Sequence, residues 1–200
     1  MLVLASYLLG AIPSGYIITR WLKGFDIRDY GSGNPGAANV YRVVGKWPGV
    51  ATFLCDGVKG ASAVFMAQYF APGQEYIIIA CGFIAIIAHM WTVFLKFRGG
   101  KGVATSAGVF MALLPIPTVL ALVSFAIIVW LTGRISPGSI LAAVILPLSS
   151  YFIGHYLLSY SLIATAAGIL VIYRHIPNIK RMLKREELKF EDGSKKNAAK

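Results

Sequence analysis

Charge is scarce in this chain of 200 residues: Asp, Glu, Lys and Arg make up 14% of it, against roughly one-quarter of an ordinary soluble domain. Acids are scarcest, with 8 Asp and Glu facing 19 Lys and Arg. Metal-dependent phosphatidyl transfer needs clustered aspartates to hold its cation, and scattered acids do not supply them, so no metal and no cofactor are expected. The two cysteines, Cys55 and Cys81, have no metal-like spacing. They exclude a disulfide scaffold or zinc module and read as small core hydrophobes. Basic residues are missing from the first apolar run, residues 2–18, and Arg20 and Lys23 follow it. A signal peptide carries them in the reverse order, so the run is expected to be a retained helix with its N-terminus outside. No internal repeat of the kind found in inverted-repeat transporters stands out.

Hydrophobic residues, by contrast, make up 57% of the chain. They group into segments at 2–18, 48–70, 76–95, 103–114, 118–130, 137–151 and 157–173, which predict an all-α, polytopic bundle of about seven transmembrane helices. The break before 118 rests on Pro115 and Pro117, since helix interiors tolerate proline poorly. Segment 103–114 would reach about 18 Å against a hydrocarbon core of about 30 Å, so it is expected to be half-length. With the N-terminus outside, the loops at 20–46, 96–101, near Arg134 and beyond 173 fall inside, together with the C-terminus. They hold every Lys and Arg except Lys59, whereas the outside turns at 71–75, 115–117 and 152–156 hold none. The formal net charge of +11 is therefore a topology signal, and nucleic acid is not needed to explain it. One membrane domain is expected over 1–183, followed by a charged, flexible cytoplasmic tail over 184–200.

Four inside loops carry polar clusters suited to phosphate. In GSGNPGAANVYR, residues 31–42, Gly33, Gly36 and their neighbours let backbone N–H groups turn inward as an anion nest. Ser32, Asn34 and Asn39 add side-chain donors and Arg42 a planar fork, although an ordinary turn has a similar composition. RGGKGVAT, residues 98–105, places Gly99, Gly100, Lys101 and Gly102 before the half-length helix, where free N–H groups and the dipole favour anions. Its spacing is not that of a P-loop. In ISPGS, Ser136 before Pro137 reads as a helix N-cap, and Ser139 lies one turn further in. In YRHIPNIKR, His175 and Asn178 share a helix face if the helix continues past Pro177.

Asp56 and Lys59 stand three residues apart in an apolar segment and can pair on one face. Charge at mid-membrane costs roughly 2.5–3.5 kcal/mol on insertion scales, which points to function or to a helix-orienting pair. His89, near the inner end of its segment, reads as a hydrogen-bonded packing residue.

At GSGNPGAANVYR, DGVKG, AHMWTVFLKFRGGKGVAT and IYRHIPNIKR the sequence resembles the PlsY family, bacterial membrane glycerol-3-phosphate acyltransferases that use acyl phosphate. Ala88 and Thr92 depart from the family's usual glycine and proline. The resemblance implies acyl transfer to the sn-1 hydroxyl of glycerol 3-phosphate, giving lysophosphatidic acid and phosphate at the cytoplasmic face of the inner membrane. The implied partners are those two substrates and membrane lipids, with the protein functional as a monomer. By position, Ser32, Asn39, Arg42, Lys101, Ser139, His175 and Asn178 match the family's polar set. The His-x4-Asp pattern of other glycerolipid acyltransferases is absent, since Phe94, Tyr160 and Lys180 follow the three histidines at that spacing. An organic-phosphate or anion transporter is the alternative reading, but its outside turns would be short and poor in polar ligands.

Overall fold

The computed structural model describes residues 1–153 and 156–190, and every regular element among them is helical. In chain order the α-helices are α1 (Leu2–Ala11), α2 (Ser14–Lys23), α3 (Ala37–Val43), α4 (Lys46–Phe70), α5 (Glu75–Met90), α6 (Val103–Leu113), α7 (Pro115–Thr132), α8 (Ile135–Phe152), α9 (Leu158–Arg174) and α10 (Ile176–Leu183), with single-turn 3-10 helices at Ile27–Asp29 and Val93–Leu95. Taking α1 and α2 together, five helices are long and apolar enough to cross a membrane. A sixth crossing results if α9 and α10, bent by 54°, count as one. At 11 residues, α6 rises only about 16 Å, so the segment expected to be half-length is short.

Three boundaries differ from expectation. The first segment runs on to Lys23 and is broken at Ile12, whose extended ψ of 117° suits the residue before Pro13. Pro115 and Pro117 do not form a turn. They occupy the first turn of α7, where no intrahelical N–H is required, and the break is the single residue Leu114 at φ −138°, ψ 65°. Finally, α8 begins at Ile135 with Arg134 before it, so Ser136 is not an N-cap. Of the turn expected at 152–156, Gly154 and His155 lie outside the described residues, as does the tail from residue 191.

The bundle is apolar outside and buries many polar side chains within an otherwise apolar core. Val123, Ile127, Leu148, Leu162 and Ile169 face outward, while Ser6, Thr19, Thr52, Asp56, Lys59 and Thr105 are buried. A lipid-facing surface allows this, whereas a water-facing one would leave a large apolar patch. Cys81 is buried as expected, but Cys55 is exposed and joins the apolar exterior. The main pairings are α1 with α5, α4 with α6, α7 with α8 and α8 with α9. Small residues set the closest of them: a Cβ on Gly108 would meet the Gly57 carbonyl, and one on Gly60 the Thr105 carbonyl. Such contacts substitute for a hydrophobic drive that is absent between helices in lipid. They draw the short α6 against α4 and place its N-terminus beside the loops that carry the polar motifs.

Candidate active site

The loop before α3 is built around one buried amide. Asn39 accepts from the Ser32 N–H at 2.8 Å and donates to the Ile27 and Tyr30 carbonyls at 3.2 and 2.9 Å. Gly31 and Gly33 take the left-handed φ values the loop requires, +61° and +71°. Both amide hydrogens of Asn39 are thus committed to the loop, and it shapes the site instead of donating to a ligand. Asn34 similarly accepts from the Gly36 N–H at 2.9 Å. Arg42, one turn into α3, is buried and donates through Nε to the Lys189 carbonyl at 3.1 Å.

The second loop turns Lys101 toward α10. Gly99 and Gly100 donate their N–H groups to the Met90 and His89 carbonyls, both at 3.1 Å. Their amides therefore anchor the loop, and these two are not among the free N–H groups expected to favour an anion before α6. Gly102, at φ +83°, starts α6, whose first N–H groups lack intrahelical acceptors, as at any helix start. The Lys101 ammonium donates to Asn178 Oδ1 at 2.5 Å. Burial lowers its pKa to about 8, the nearby Glu187 carboxylate acts in the opposite direction, and Arg181, Arg42 and Arg174 lower it further.

Glu187 carried no signal in the sequence, yet it organises the third and fourth motifs. Its Oε1 accepts from Ser136 Oγ at 2.5 Å and from Asn178 Nδ2 at 2.7 Å, and its Oε2 accepts from Arg181 Nε at 2.9 Å. Asn178 Nδ2 also donates to Ser136 Oγ at 2.7 Å. Burial pushes the Glu187 carboxyl up, but the hydrogen bonds from Ser136, Asn178 and Arg181 outweigh this and hold it below the ordinary carboxylate range. Asn178 is oriented by these bonds, amide hydrogens toward the carboxylate and oxygen toward Lys101, so it is a positioning group for the ammonium. His175 sits at the bend between α9 and α10, where its Nδ1–H donates to the Val171 carbonyl at 2.7 Å. That bond fixes the proton on Nδ1 and leaves Nε2 an acceptor in the neutral ring. Ser139 Oγ donates to the Ile135 carbonyl at 3.2 Å.

The segment after α10, expected to be flexible from residue 184, packs as far as Phe190. Phe190 stacks on Tyr41 at 4.1 Å and donates its N–H to the Gly133 carbonyl at 2.7 Å. Arg134 Nε donates to the Glu187 carbonyl at 3.2 Å. Residues 187–190 therefore tie α3 to the start of α8 across the site.

Ser32, Asn34, Gly36, Asn39, Arg42, Lys101, Gly102, Ser136, Ser139, His175 and Asn178 all line one cavity of about 310 Å³, along with Phe190. Gly33 and Gly99 do not; they border a separate polar cavity, and Gly100 packs behind Lys101 against the His89 imidazole. A narrower pocket of about 60 Å³ shares Phe53, Val103, Phe125 and Ser139 with the first cavity and continues past Phe110, Leu146 and Val171. One end of the site is cationic and the other is hydrocarbon-like. Among the described residues, no group of three His, Cys, Asp or Glu could hold a metal ion.

This combination defines an integral membrane protein whose site joins an anion-binding end to a groove for hydrocarbon, as transferases of lipid synthesis require. The family model for glycerol-3-phosphate acyltransferase matches residues 1–185, and the chain belongs to that family as a membrane acyltransferase of phospholipid synthesis. The glycerol-3-phosphate acyltransferase of Endomicrobium trichonymphae is 43% identical over 194 residues, covering 97% of this chain and 96% of that one. That of Syntrophomonas wolfei is 44% identical over 193 residues, covering 96% of each. The crystal structure of the integral membrane glycerol 3-phosphate acyltransferase PlsY in its glycerol 3-phosphate form superposes with a TM-score of 0.90. It is 36% identical, and the match covers 100% of this chain and 98% of that one. The lysophosphatidic acid form matches at a TM-score of 0.86 and 36% identity, over 96% and 94% of the two chains.

Proposed function

We propose that the acyl donor is an acyl phosphate, that the acceptor is the sn-1 hydroxyl of glycerol 3-phosphate, and that the products are lysophosphatidic acid and inorganic phosphate. The supporting observation is the junction at Val103 and Ser139, where the cationic cavity meets the apolar pocket. A phosphate headed by a long hydrocarbon fits both halves at once. An acyl phosphate is a mixed anhydride and already activated, so the site needs only to neutralise charge and align the reactants. Lys101 and Arg42 face the phosphates, with Ser32 and Ser139 offering hydroxyls. The acceptor oxygen bonds to the acyl carbon, the bond from that carbon to the phosphate oxygen breaks, and the hydroxyl proton ends on the departing phosphate. The donor phosphate serves as the base. His175 Nε2, an acceptor in its neutral form, orients the acceptor hydroxyl. Because the amide hydrogens of Asn178 are engaged by Ser136 and Glu187, charge developing on the carbonyl oxygen falls to Lys101 and the α6 amides.

The one-sided basic loops support an active site on the cytoplasmic face of a bacterial inner membrane, in a single domain that acts as a monomer and takes in residues 184–190. The test is phosphate release by purified protein in neutral detergent. Release that requires both acyl phosphate and glycerol 3-phosphate supports this donor. Turnover with an acyl thioester and none with acyl phosphate overturns it.

A further inference from the structure

A second cavity, of about 760 Å³, lies on the far side of the loop at residues 33–35. Asn34 borders both it and the active cavity. Its wall mixes polar and apolar groups and carries four cations, Arg28, Lys96, Arg98 and Arg174, with Asp26 and Asp29. Only Arg28 is neutralised: Asp26 grips its guanidinium at 2.6–3.1 Å. Arg174, half-buried, donates to the Gly100 and Gly99 carbonyls at 3.1 and 2.8 Å and lies over the Trp91 ring at 5.6 Å. No carboxylate reaches it, and none reaches Lys96 or Arg98 among the described residues.

The backbone here is also unusual. Lys96 and Phe97 take successive positive φ values, 53° and 62°, a conformation that side-chain-bearing residues avoid. It is held by the Phe97 N–H on the Thr92 carbonyl at 2.8 Å and the Arg98 N–H on the Leu95 carbonyl at 3.1 Å. The tight turn keeps Lys96 and Arg98 on the cavity wall, one and three residues after the chain leaves its last single-turn helix, Val93–Leu95. Membrane topology accounts for basic residues on this face. It does not account for a strained turn that gathers them around a hollow, nor for a half-buried guanidinium without a counter-charge.

We propose that this cavity is a loading site for glycerol 3-phosphate, which it gathers as a small phosphate dianion and passes beside Asn34 to the active cavity. This rests on glycerol 3-phosphate being the acceptor. The two substrates then arrive by different routes, the lipid-like donor along the apolar pocket and the water-soluble acceptor through the cationic one. Residues 187–190, bridging α3 and the start of α8, leave the side bordered by Asn34 and Arg98 as the polar approach. A focused positive field raises the rate at which a dianion is captured, and salt removes that advantage.

The test is Lys96→Gln with Arg98→Gln in neutral detergent, with kcat/KM for glycerol 3-phosphate measured at about 0.01 M and about 1 M salt, where the screening length falls from ~30 to ~3 Å. The expected result is a loss of roughly five- to thirty-fold at low salt that fades at high salt, with the KM for acyl phosphate moving less. Arg98→Glu gives a larger loss of the same salt dependence. Wild-type-like kcat/KM at both salts overturns the proposal. So does a loss that is equal at both salts and tracks a lowered melting temperature. A loss confined to vesicles containing anionic lipid, absent from detergent and from purely zwitterionic vesicles, overturns it in favour of a lipid headgroup contact. Acceptor-dependent turnover by the wild-type protein in the same assay tests the acceptor itself, so the two failures are distinguishable.

Discussion

Lys59 and Lys101 are both withdrawn from solvent, Lys59 fully and Lys101 in part, and their surroundings differ in one respect. Lys59, in the middle of α4, is 6% exposed and is held by three neighbours. Its ammonium pairs with Asp56 at 2.8 Å, donates to the Ile12 carbonyl at 2.5 Å and meets His89 Nδ1 at 3.0 Å. Lys101 has one hydrogen-bond acceptor among the described residues, the neutral Asn178 oxygen, and its remaining N–H bonds face the cavity. An ammonium paired with a carboxylate and tied to its neighbours holds the fold together. One without a carboxylate partner is left to attract an anion. The first also supports the second: Lys59 joins the break in the first span to His89, whose ring packs under Gly100 beside Lys101.

Removing each charge is the strongest way to break this contrast. Lys101→Met is expected to lower kcat/KM by roughly 10²–10³-fold while leaving thermal unfolding in detergent nearly unchanged. Lys59→Met should do the reverse, costing about 3–5 kcal/mol because Asp56 remains buried without its partner. Adding Asp56→Leu should then recover much of that stability. Equal melting temperatures for Lys59→Met and wild type would refute the structural assignment.

A pH profile sharpens the comparison from the other side. In the proposed mechanism Lys101, with its pKa lowered to about 8, attracts phosphate while protonated, so kcat/KM for glycerol 3-phosphate should fall as pH rises through about 8. Stability has the opposite sign. Between about 8 and the ordinary lysine value the unfolded chain binds more protons, so this group's contribution to stability grows as pH rises. Lys101→Arg should abolish the alkaline limb, since a guanidinium stays charged. Glu187→Gln should move the limb below 8, because the carboxylate that supports the Lys101 charge is gone.

The smallest effect is expected at the joint between the regions. Thr92 Oγ1 donates to the Ala11 carbonyl at 2.6 Å, a bond that the family's usual proline at this position could not make. Thr92→Val should cost about 0.5–1.5 kcal/mol of stability with little change in kcat/KM.

Much of the site was legible in the chain because its residues sit in short, glycine-rich loops. Ser32, Arg42, Lys101, Ser139 and His175 each belong to a motif whose composition suits phosphate. Asn39, Ser136 and Asn178 line the same cavity, but the chain does not reveal what they bind. Their types were informative, but their hydrogen-bond partners are 7 to 42 residues away or further along the chain. Glu187 and Phe190 were missed because a mixed-charge stretch has the pattern of a solvated tail. Nothing local distinguishes a carboxylate facing water from one that closes a network.

Hydrophobic run lengths and the side on which the basic residues collect were sufficient to determine a helical membrane protein with one polar face, since backbone in lipid must satisfy itself within each helix. Motif composition raised the expectation that this face handles phosphate. Which lysine would be paired and which left open was decided only by the tertiary structure. An ammonium's role depends on how many acceptors reach it, and those acceptors come from Ile12, Asp56 and His89 in one case and Asn178 in the other. Packing of α6 against α4, and of residues 187–190 across α3 and α8, brings them there.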